Sequence, residues 1–421
     1  MKNEIIPNSL CLVLGGARYG EFETLFKQGI SVGLILDSNS INNIPVDHQF
    51  VLIEKFDFRK SNEALNILIN TISKKWHIDA VLNTREAYVP HHRVIAQTLG
   101  LPFISEESLQ CVTNKTKMHE AFVRHIGEHS TALFEKTRFQ NELEQIVEKI
   151  GFPLILKPTN LAASLFVSQC HHFEELNAAF SNMQSCLSAH YQKIGVSDDA
   201  VPEIQIEEFL EGSLHSQDLI ISEDGRIYAT PIVDVITGKD LGLNDFHHFY
   251  RGCPTKLIEA QQEMANSLTK KGAQALGLRA CVAHTEFIFT AHGPRLLEIA
   301  ARPGAHRNRV LEMTYDLPLN VLYYQNQKGC IADFSLIAPR PFAIVTPFPL
   351  IKKEFLGLKD IDAIQNLNSY HHHEFRVKIG DMIGPAREGF YSCFVLELLA
   401  TSHEALWDDI QVIKNMGDIY K

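Results

Sequence analysis

No Cys-x-x-Cys pair occurs in the chain, although it has eight cysteines. They are scattered, at positions 11, 111, 170, 186, 253, 281, 330 and 393, several inside apolar runs such as Leu10-Cys11-Leu12-Val13. That spacing argues against a thiolate metal cluster or a disulfide framework and fits reduced, mostly buried thiols of a cytoplasmic protein. Basic residues are also in deficit: 39 lysines and arginines stand against 50 acidic residues, a formal charge of −11. A chain built to hold phosphate backbones reverses that balance, so nucleic acid is not an expected partner. Long apolar runs are missing. Residues 1–14 carry Glu4 and an apolar stretch of about six residues, too short for a signal peptide or a membrane span. There is no internal repeat, low-complexity tract or long linker. Gly15, Gly16 and Gly20 depart from the GxGxxG spacing of a dinucleotide site and read as turn chemistry.

What the chain has is length and apolar material. Its 421 residues, 45% hydrophobic, exceed what one core usually serves and point to several domains. The apolar run at 10–14, the glycine turn, a helical pattern over 21–28 and a second apolar run at 30–37 ending in Asp37 form a βαβ unit. A helix over 64–74, a strand over 78–83 and a helix over 89–99 stopped by Gly100 and Pro102 extend it. Residues 1–112 therefore read as a small α/β domain with a mostly parallel sheet.

From Lys115 the texture changes. Helices over 118–125 and 141–150 precede Phe152-Pro153-Leu154-Ile155-Leu156-Lys157, an apolar strand ending in a lysine, and then a small-residue loop at 159–164. A strand end holds an ammonium rigidly, and loop N–H groups close over phosphates. Strands over 203–210 and 219–221, with a hairpin turn at Asp224-Gly225, predict antiparallel sheet. A helix over 258–276 leads to strands at 280–290 and 295–301. Short strands at 342–347 and 392–399 and a helix over 402–415 suggest a small α+β domain over 331–421. Residues 113–330 divide at about 204 into a phosphate-loop part and a metal and substrate part.

The strongest chemical signal is a pair of glutamates. In a hairpin turning near residues 292 and 293, residues whose numbers sum to about 584 or 585 face one another. Glu286 and Glu298 satisfy that rule and repel unless a cation lies between them. Hard oxygen ligands suit magnesium, which takes one or two protein carboxylates and completes its shell with water and phosphate. The alternative, a solvated pair, sits poorly with Phe287, Phe289, Leu297 and Ile299 around it. Arg302 follows as an ion-pair partner of that pair, a clamp for an anionic substrate, or both. The turn at Pro303-Gly304 places backbone N–H groups where a substrate carboxylate could sit. Most of the 20 histidines read as surface or packing residues, because neighbours on a strand point to opposite faces. His247 and His248 stand apart, lying between the second sheet and the metal hairpin. His284 and His306 flank the hairpin and the arginine turn, placed to accept a proton from an amine. Glu86 fits either a substrate pocket or a helix N-terminus.

In that order, Lys115 within Asn-Lys-Thr-Lys-Met, Lys157, Glu207-Glu208-Phe209-Leu210 and the hairpin Thr-Glu-Phe to Leu-Leu-Glu-Ile-Ala-Ala-Arg resemble the ATP-grasp superfamily. They look closest to the branch of L-amino acid ligases and carnosine-synthase-like enzymes. The resemblance implies an ATP-grasp fold behind an N-terminal Rossmann-like domain, with ATP and magnesium, or manganese, as cofactors. It implies that Lys115, Lys157 and the loop around Ser164 hold phosphates, that residues 207–210 read adenine, and that Asp218 or a nearby polar side chain meets the ribose. Glu286 and Glu298 would bind the metal, and Arg302 would face an acyl phosphate. Glu86, His247, His248, His284, Gly304 and His306 would line the substrate pocket. The sequence departs from the family pattern at Leu214, where relatives often carry an acid, at Ala300, where many carry a third metal ligand, and at Ala162 and Ala163, where they carry glycines. The implied activity is carboxylate–amine ligation of a small acid and an amine, in a cytoplasmic enzyme that a homodimer would suit. Two rivals stand beside it: a biotin-carboxylase-like enzyme using bicarbonate, and a degenerate module that binds nucleotide without turnover.

Overall fold

A computed structural model describes residues 8–18, 20–39, 49–160, 166–194, 203–243, 245–330 and 334–421. The chain opens with β1 (Ser9–Gly15), α1 (Glu23–Lys27), β2 (Val32–Asp37), β3 (Leu52–Phe56), α2 (Asn62–Ser73), β4 (His77–Asn83) and α3 (Val89–Leu99). The four strands form a parallel sheet in the order β3-β2-β1-β4. Both faces of β1 are buried, which is why its sequence is a continuous apolar run. Leu10, Leu12 and Leu14 pack under α2 and α3. Cys11 and Val13 face a core that also takes in Val310, Leu319, Leu322 and Phe342. The first domain is thus built into the rest of the molecule through one continuous apolar layer.

Two helices follow, α4 (Glu106–Val112) and α5 (Lys115–Ile126). The Asn114 side chain caps α5 by accepting the Lys117 N–H, which sets Lys115 in the first turn. Next come β5 (Phe134–Thr137), α6 (Leu143–Ile150), β6 (Leu154–Pro158), β7 (Ser168–Cys170), α7 (Phe173–Ile194) and β8 (Ile204–Glu208). Their strands make an antiparallel sheet in the order β5-β8-β6-β7. Leu154 and Leu156 of β6 and Ile204 and Ile206 of β8 bury against α6 and α7, leaving Lys157 and Glu207 on the other face.

The remaining strands are β9 (Ser213–Ile221), β10 (Ile227–Ala229), β11 (Val233–Thr237), β12 (His248–Cys253), β13 (Cys281–Thr290), β14 (Gly293–Ala300), β15 (Phe342–Val345), β16 (Lys353–Glu354), β17 (Tyr370–Phe375), β18 (Met382–Ile383) and β19 (Phe394–Leu399). Nine of them form one sheet in the order β14-β13-β9-β11-β12-β15-β19-β17, with β10 beside β9. Within the last ninety residues β16 and β18 make a separate two-stranded sheet, while β15, β17 and β19 join the large one. Tyr250 pairs with Val345 and Arg251 with Ile344, so β15, β19 and β17 continue the sheet that holds the β13–β14 hairpin. Helices α8 (Glu259–Ala275), α9 (Arg307–Tyr315), α10 (Leu319–Gln327), α11 (Ile361–Gln365) and α12 (His403–Asn415) complete the fold. Among the described residues, no helix is long and apolar enough to cross a membrane. All eight cysteines are free and five are buried.

The first histidine doublet takes packing roles. His91 Nε2 lies 3.0 Å from the Phe58 carbonyl, and His92 is fully buried, stacked on Phe103 at 3.7 Å. Burial pushes His92 down to about 3, so the folded protein keeps it neutral. The unfolded chain takes up its proton near pH 6.5, so stability falls as pH drops below that value, by about 1.4 kcal/mol per unit for one proton. Unfolding free energies measured from pH 7 to 4.5 should show a slope shallower by nearly one proton in His92→Gln; an unchanged slope would contradict this.

Candidate active site

In the β13–β14 ladder Glu286 and Glu298 are direct partners, with a bulge just after Glu286. Each has its own cationic or imidazole neighbours. Glu298 Oε2 lies 3.1 Å from Lys115 Nζ, supplied by the first turn of α5. Glu286 Oε1 lies 3.2 Å from His284 Nε2 and 3.8 Å from His248 Nε2. Burial pushes the Glu286 carboxyl up, but His248, His284 and Arg307 outweigh it and hold it well below the usual range. It stays ionised, as a metal ligand must. Among the described residues, no group of three or more histidine, cysteine or carboxylate side chains converges to hold a metal. A cation between this pair would draw its other ligands from phosphate and water, the habit of magnesium. Ala300, opposite His284, offers no ligand.

Behind the pair, His284 Nδ1 lies 2.6 Å from Asp218 Oδ1. Gly304 donates its N–H to the same carboxylate, at 3.2 and 3.3 Å. Two expectations change here. Asp218 is fully buried behind His284, so it supports the hairpin and has no free oxygen edge for a ribose. The Gly304 N–H is already committed to Asp218 and does not face a substrate carboxylate. Glycine is nonetheless required at 304, because a Cβ there would stand 2.4 Å from His284 Nδ1 and 2.5 Å from Arg307 Cγ.

Arg302 reaches across to the first domain, its Nε 2.8 Å from Glu86 Oε2. Burial lowers its pKa, but Glu86, Glu298 and Glu286 outweigh that and raise it. Its direct ion-pair partner is thus Glu86, with Glu298 and Glu286 acting at longer range. A second contact set joins Arg18 and Arg85 to Glu21, at 2.7 and 3.5 Å. Burial raises the Glu21 carboxyl, but Arg85 and Arg18 bring it down to about 2.

At the other end of the site, Lys157 Nζ lies 2.5 Å from Glu207 Oε1. Gln205 also donates to Glu207, and Thr116 donates to Gln205 at 2.7 Å. Buried His119 lies beside Glu207, its Nε2 3.0 Å from the Leu297 carbonyl. Burial takes His119 down to about 4. This chain of contacts ties Lys157 to the β13–β14 hairpin. Beyond it, Glu208 N–H donates to the Leu133 carbonyl and Phe209 N–H to the Pro153 carbonyl. Leu210 N–H has no partner among the described residues. Ser164, with Ala162 and Ala163, lies outside the described residues.

The doublet His247-His248 splits. His248 turns to Glu286, whereas His247 turns away to Asp245 and packs on Phe348. His247 therefore leaves the pocket and helps shape the loop before β12. His306 starts α9 in the left-handed region, at φ +65. Burial and the charges of Arg376, Arg18, Arg251 and Arg307 hold its pKa far below normal, which makes it a weak proton acceptor. The Gly15 turn is filled by Tyr88: a Cβ there would stand 2.0 Å from the ring, whose hydroxyl donates to Asp37 at 2.7 Å.

Residues 150–309 match the ATP-grasp domain family. The chain carries an ATP-grasp domain. The whole molecule superposes on the crystal structure of L-amino acid ligase from Bacillus licheniformis with a TM-score of 0.84, over 97% of both chains at 16% identity. In sequence it is similar to alanine–anticapsin ligase of Bacillus subtilis (strain 168), 28% identical over 258 residues, which cover 58% of this chain and 53% of that protein. It is also similar to D-alanine–D-alanine ligase of Desulfotalea psychrophila, 25% identical over 175 residues, or 40% and 49% of the two chains. The chain thus matches about half the length of these curated relatives. The ATP-grasp fold accounts for the layout described above, with an antiparallel sheet carrying Lys157 set against the sheet that carries the glutamate hairpin.

Within this ATP-grasp domain, Lys157 and Glu207 form a buried pair, and removing one partner strands the other charge. Breaking such a pair costs about 3–5 kcal/mol. Urea unfolding of Glu207→Gln should show a loss of that order; a loss under about 1 kcal/mol, the level of an ordinary surface change, would contradict the pairing.

Proposed function

We propose that this protein joins the carboxyl group of a small acid, an amino acid, to an amine at the expense of ATP. The observation that carries this reading is the facing pair Glu286 and Glu298, met by Lys115, with Lys157 on one side and Arg302 on the other. A phosphoryl-transfer site needs this distribution: carboxylates for a metal, ammonium groups for phosphate oxygens, and a guanidinium where charge develops. Magnesium held by the two glutamates would spread the charge of the transferred phosphoryl group.

The substrate carboxylate attacks the γ-phosphorus of ATP, the bond to the leaving oxygen breaks, and ADP departs. The amine's lone pair then attacks the acyl carbon of the resulting acyl phosphate. Phosphate leaves, the nitrogen gives up a proton, and an amide remains. In this scheme Lys115 and Lys157 bind phosphate oxygens, and residues 207–210 hold adenine, the Leu210 N–H being one donor. Arg302, anchored by Glu86, orients the acyl group. His284 has each ring nitrogen turned to a carboxylate oxygen, so it orients Glu286 and is not free to take the amine's proton. The similarity to alanine–anticapsin ligase and D-alanine–D-alanine ligase supports an amino acid as the acid.

The test is a paired screen of amino acids and amines for phosphate release with magnesium and ATP. At least one pair should stimulate release, and acid labelled with heavy oxygen in its carboxyl group should pass one labelled atom to phosphate. In that pair Glu298→Gln and Lys157→Ala should each lose more than about a hundredfold in rate while staying folded. No stimulation by any pair, or wild-type rates in either variant, would overturn the reading.

A further inference from the structure

Six guanidinium groups gather around the metal pair and the arginine turn. Four have a carboxylate within ion-pair reach: Glu21 serves Arg18 and Arg85, Glu86 serves Arg302, and Glu374 serves Arg376 at 3.2 Å. Arg251 and Arg307 have none among the described residues. Arg307 is only 1% exposed. Its Nε and Nη2 donate to Ser216 Oγ at 2.9 and 2.6 Å, and its Nη1 to the Ala305 carbonyl at 3.2 Å. Arg251 Nη1 donates to Thr346 Oγ1 at 3.0 Å. A guanidinium does not shed its proton near neutrality, so Arg307 is a desolvated cation and Arg251 a half-buried one, each bonded to neutral acceptors alone.

The two also act on each other. Burial and then the Arg307 charge push Arg251 down to about 9. Asp218 and then Glu286 relieve Arg307, and Glu286 relieves Arg251, in each case from beyond ion-pair distance. A cation bound to Glu286 would weaken that relief. Farther from the metal pair the surroundings stay cationic, with Arg18, Arg376 and neutral His306 next to Arg251. A buried charge left this way points to an anionic ligand that completes it. Since both guanidiniums feel Glu286, that anion belongs on the small molecule whose reacting carboxylate faces Arg302.

We propose that Arg251 and Arg307 receive a second carboxylate of the acid substrate, so that the substrate is a short dicarboxylate of the acidic amino acid class. The proposal rests on the ligase reading above for its assignment of the reacting carboxylate to Arg302. Arg307 and Arg251 then set specificity, while Arg18 and Arg376 raise the local positive potential.

Calorimetric titration of the full chain, with magnesium and a non-hydrolysable ATP analogue, compares glutamate, aspartate and glutarate with glutamine and asparagine. At least one dicarboxylate should bind about tenfold or more tighter than its amide counterpart. Arg251→Gln should bring the two within about threefold, and Arg251→Lys should restore part of the preference. The ligand-free melting temperature of Arg251→Gln should rise, opposite to the effect of losing a structural contact. If that variant does not fold, Arg376→Gln at the rim carries the same comparison with a smaller change. Equal affinity for acid and amide in the wild type, no binding of any dicarboxylate, or a preference untouched in the variants would overturn the proposal. A preference for dicarboxylates without phosphate release in any pair removes the ligase reading and leaves this site standing. Phosphate release with neutral acids alone removes this proposal and leaves the ligase reading.

Discussion

Two carboxylates that face each other across a β-ladder repel, and in this molecule Glu286 and Glu298 hold that position on a buried hairpin. The surrounding fold is arranged around that repulsion. Lys115 comes to Glu298 from a capped helix start, while His284 meets Glu286 from two residues earlier on the same strand and His248 from the start of β12 in the same sheet. Asp218 then fixes His284 and, through the Gly304 N–H, the turn that carries Arg302. The pair is stabilised but not neutralised by a direct guanidinium contact, which leaves its oxygens open to a metal with phosphate and water as further ligands.

The same constraint explains why the site lies at a junction. Arg302 is anchored by Glu86 from the first domain, and Glu21 gathers Arg18 and Arg85 there. The Glu21 carbonyl accepts from the side chains of Asn308 and Asn320, which lock that segment to α9 and α10. On the side of β6 and β8, His119 and Thr131 bond the carbonyls of Leu297 and Leu296, so the Lys157–Glu207 pair and the hairpin share one buried polar network. Buried networks of this kind hold geometry because each member left unpaired is costly. Charge placement across the site therefore depends on how the domains pack.

Local rules made the elements legible in the sequence. The hairpin sum placed Glu286 opposite Glu298, Gly100 ended α3 in the left-handed region, and the apolar run before Lys157 is a strand. The continuation of the large sheet through β12 and β15 was not legible, because that pairing joins residues about ninety positions apart and no local pattern encodes it. Asp218 illustrates the same limit. Its type suits a ribose, but the register of β9 against β13 sets it opposite His284 and buries it. Arg251, Arg307 and Ser216 were missed for a related reason: each is unremarkable where it stands in the sequence, and they gather only when α9 crosses the sheet. A histidine doublet, by contrast, announces that its members part, and His247 and His248 do.

The claim on which the account turns is that the facing glutamates hold a metal together with nucleotide. Manganese binding followed by electron paramagnetic resonance, with and without a non-hydrolysable ATP analogue, tests it directly. Wild-type protein should bind manganese tightly when the analogue is present, and Glu286→Gln and Glu298→Gln should each lose that binding. Manganese retained at wild-type affinity in both variants would contradict the account.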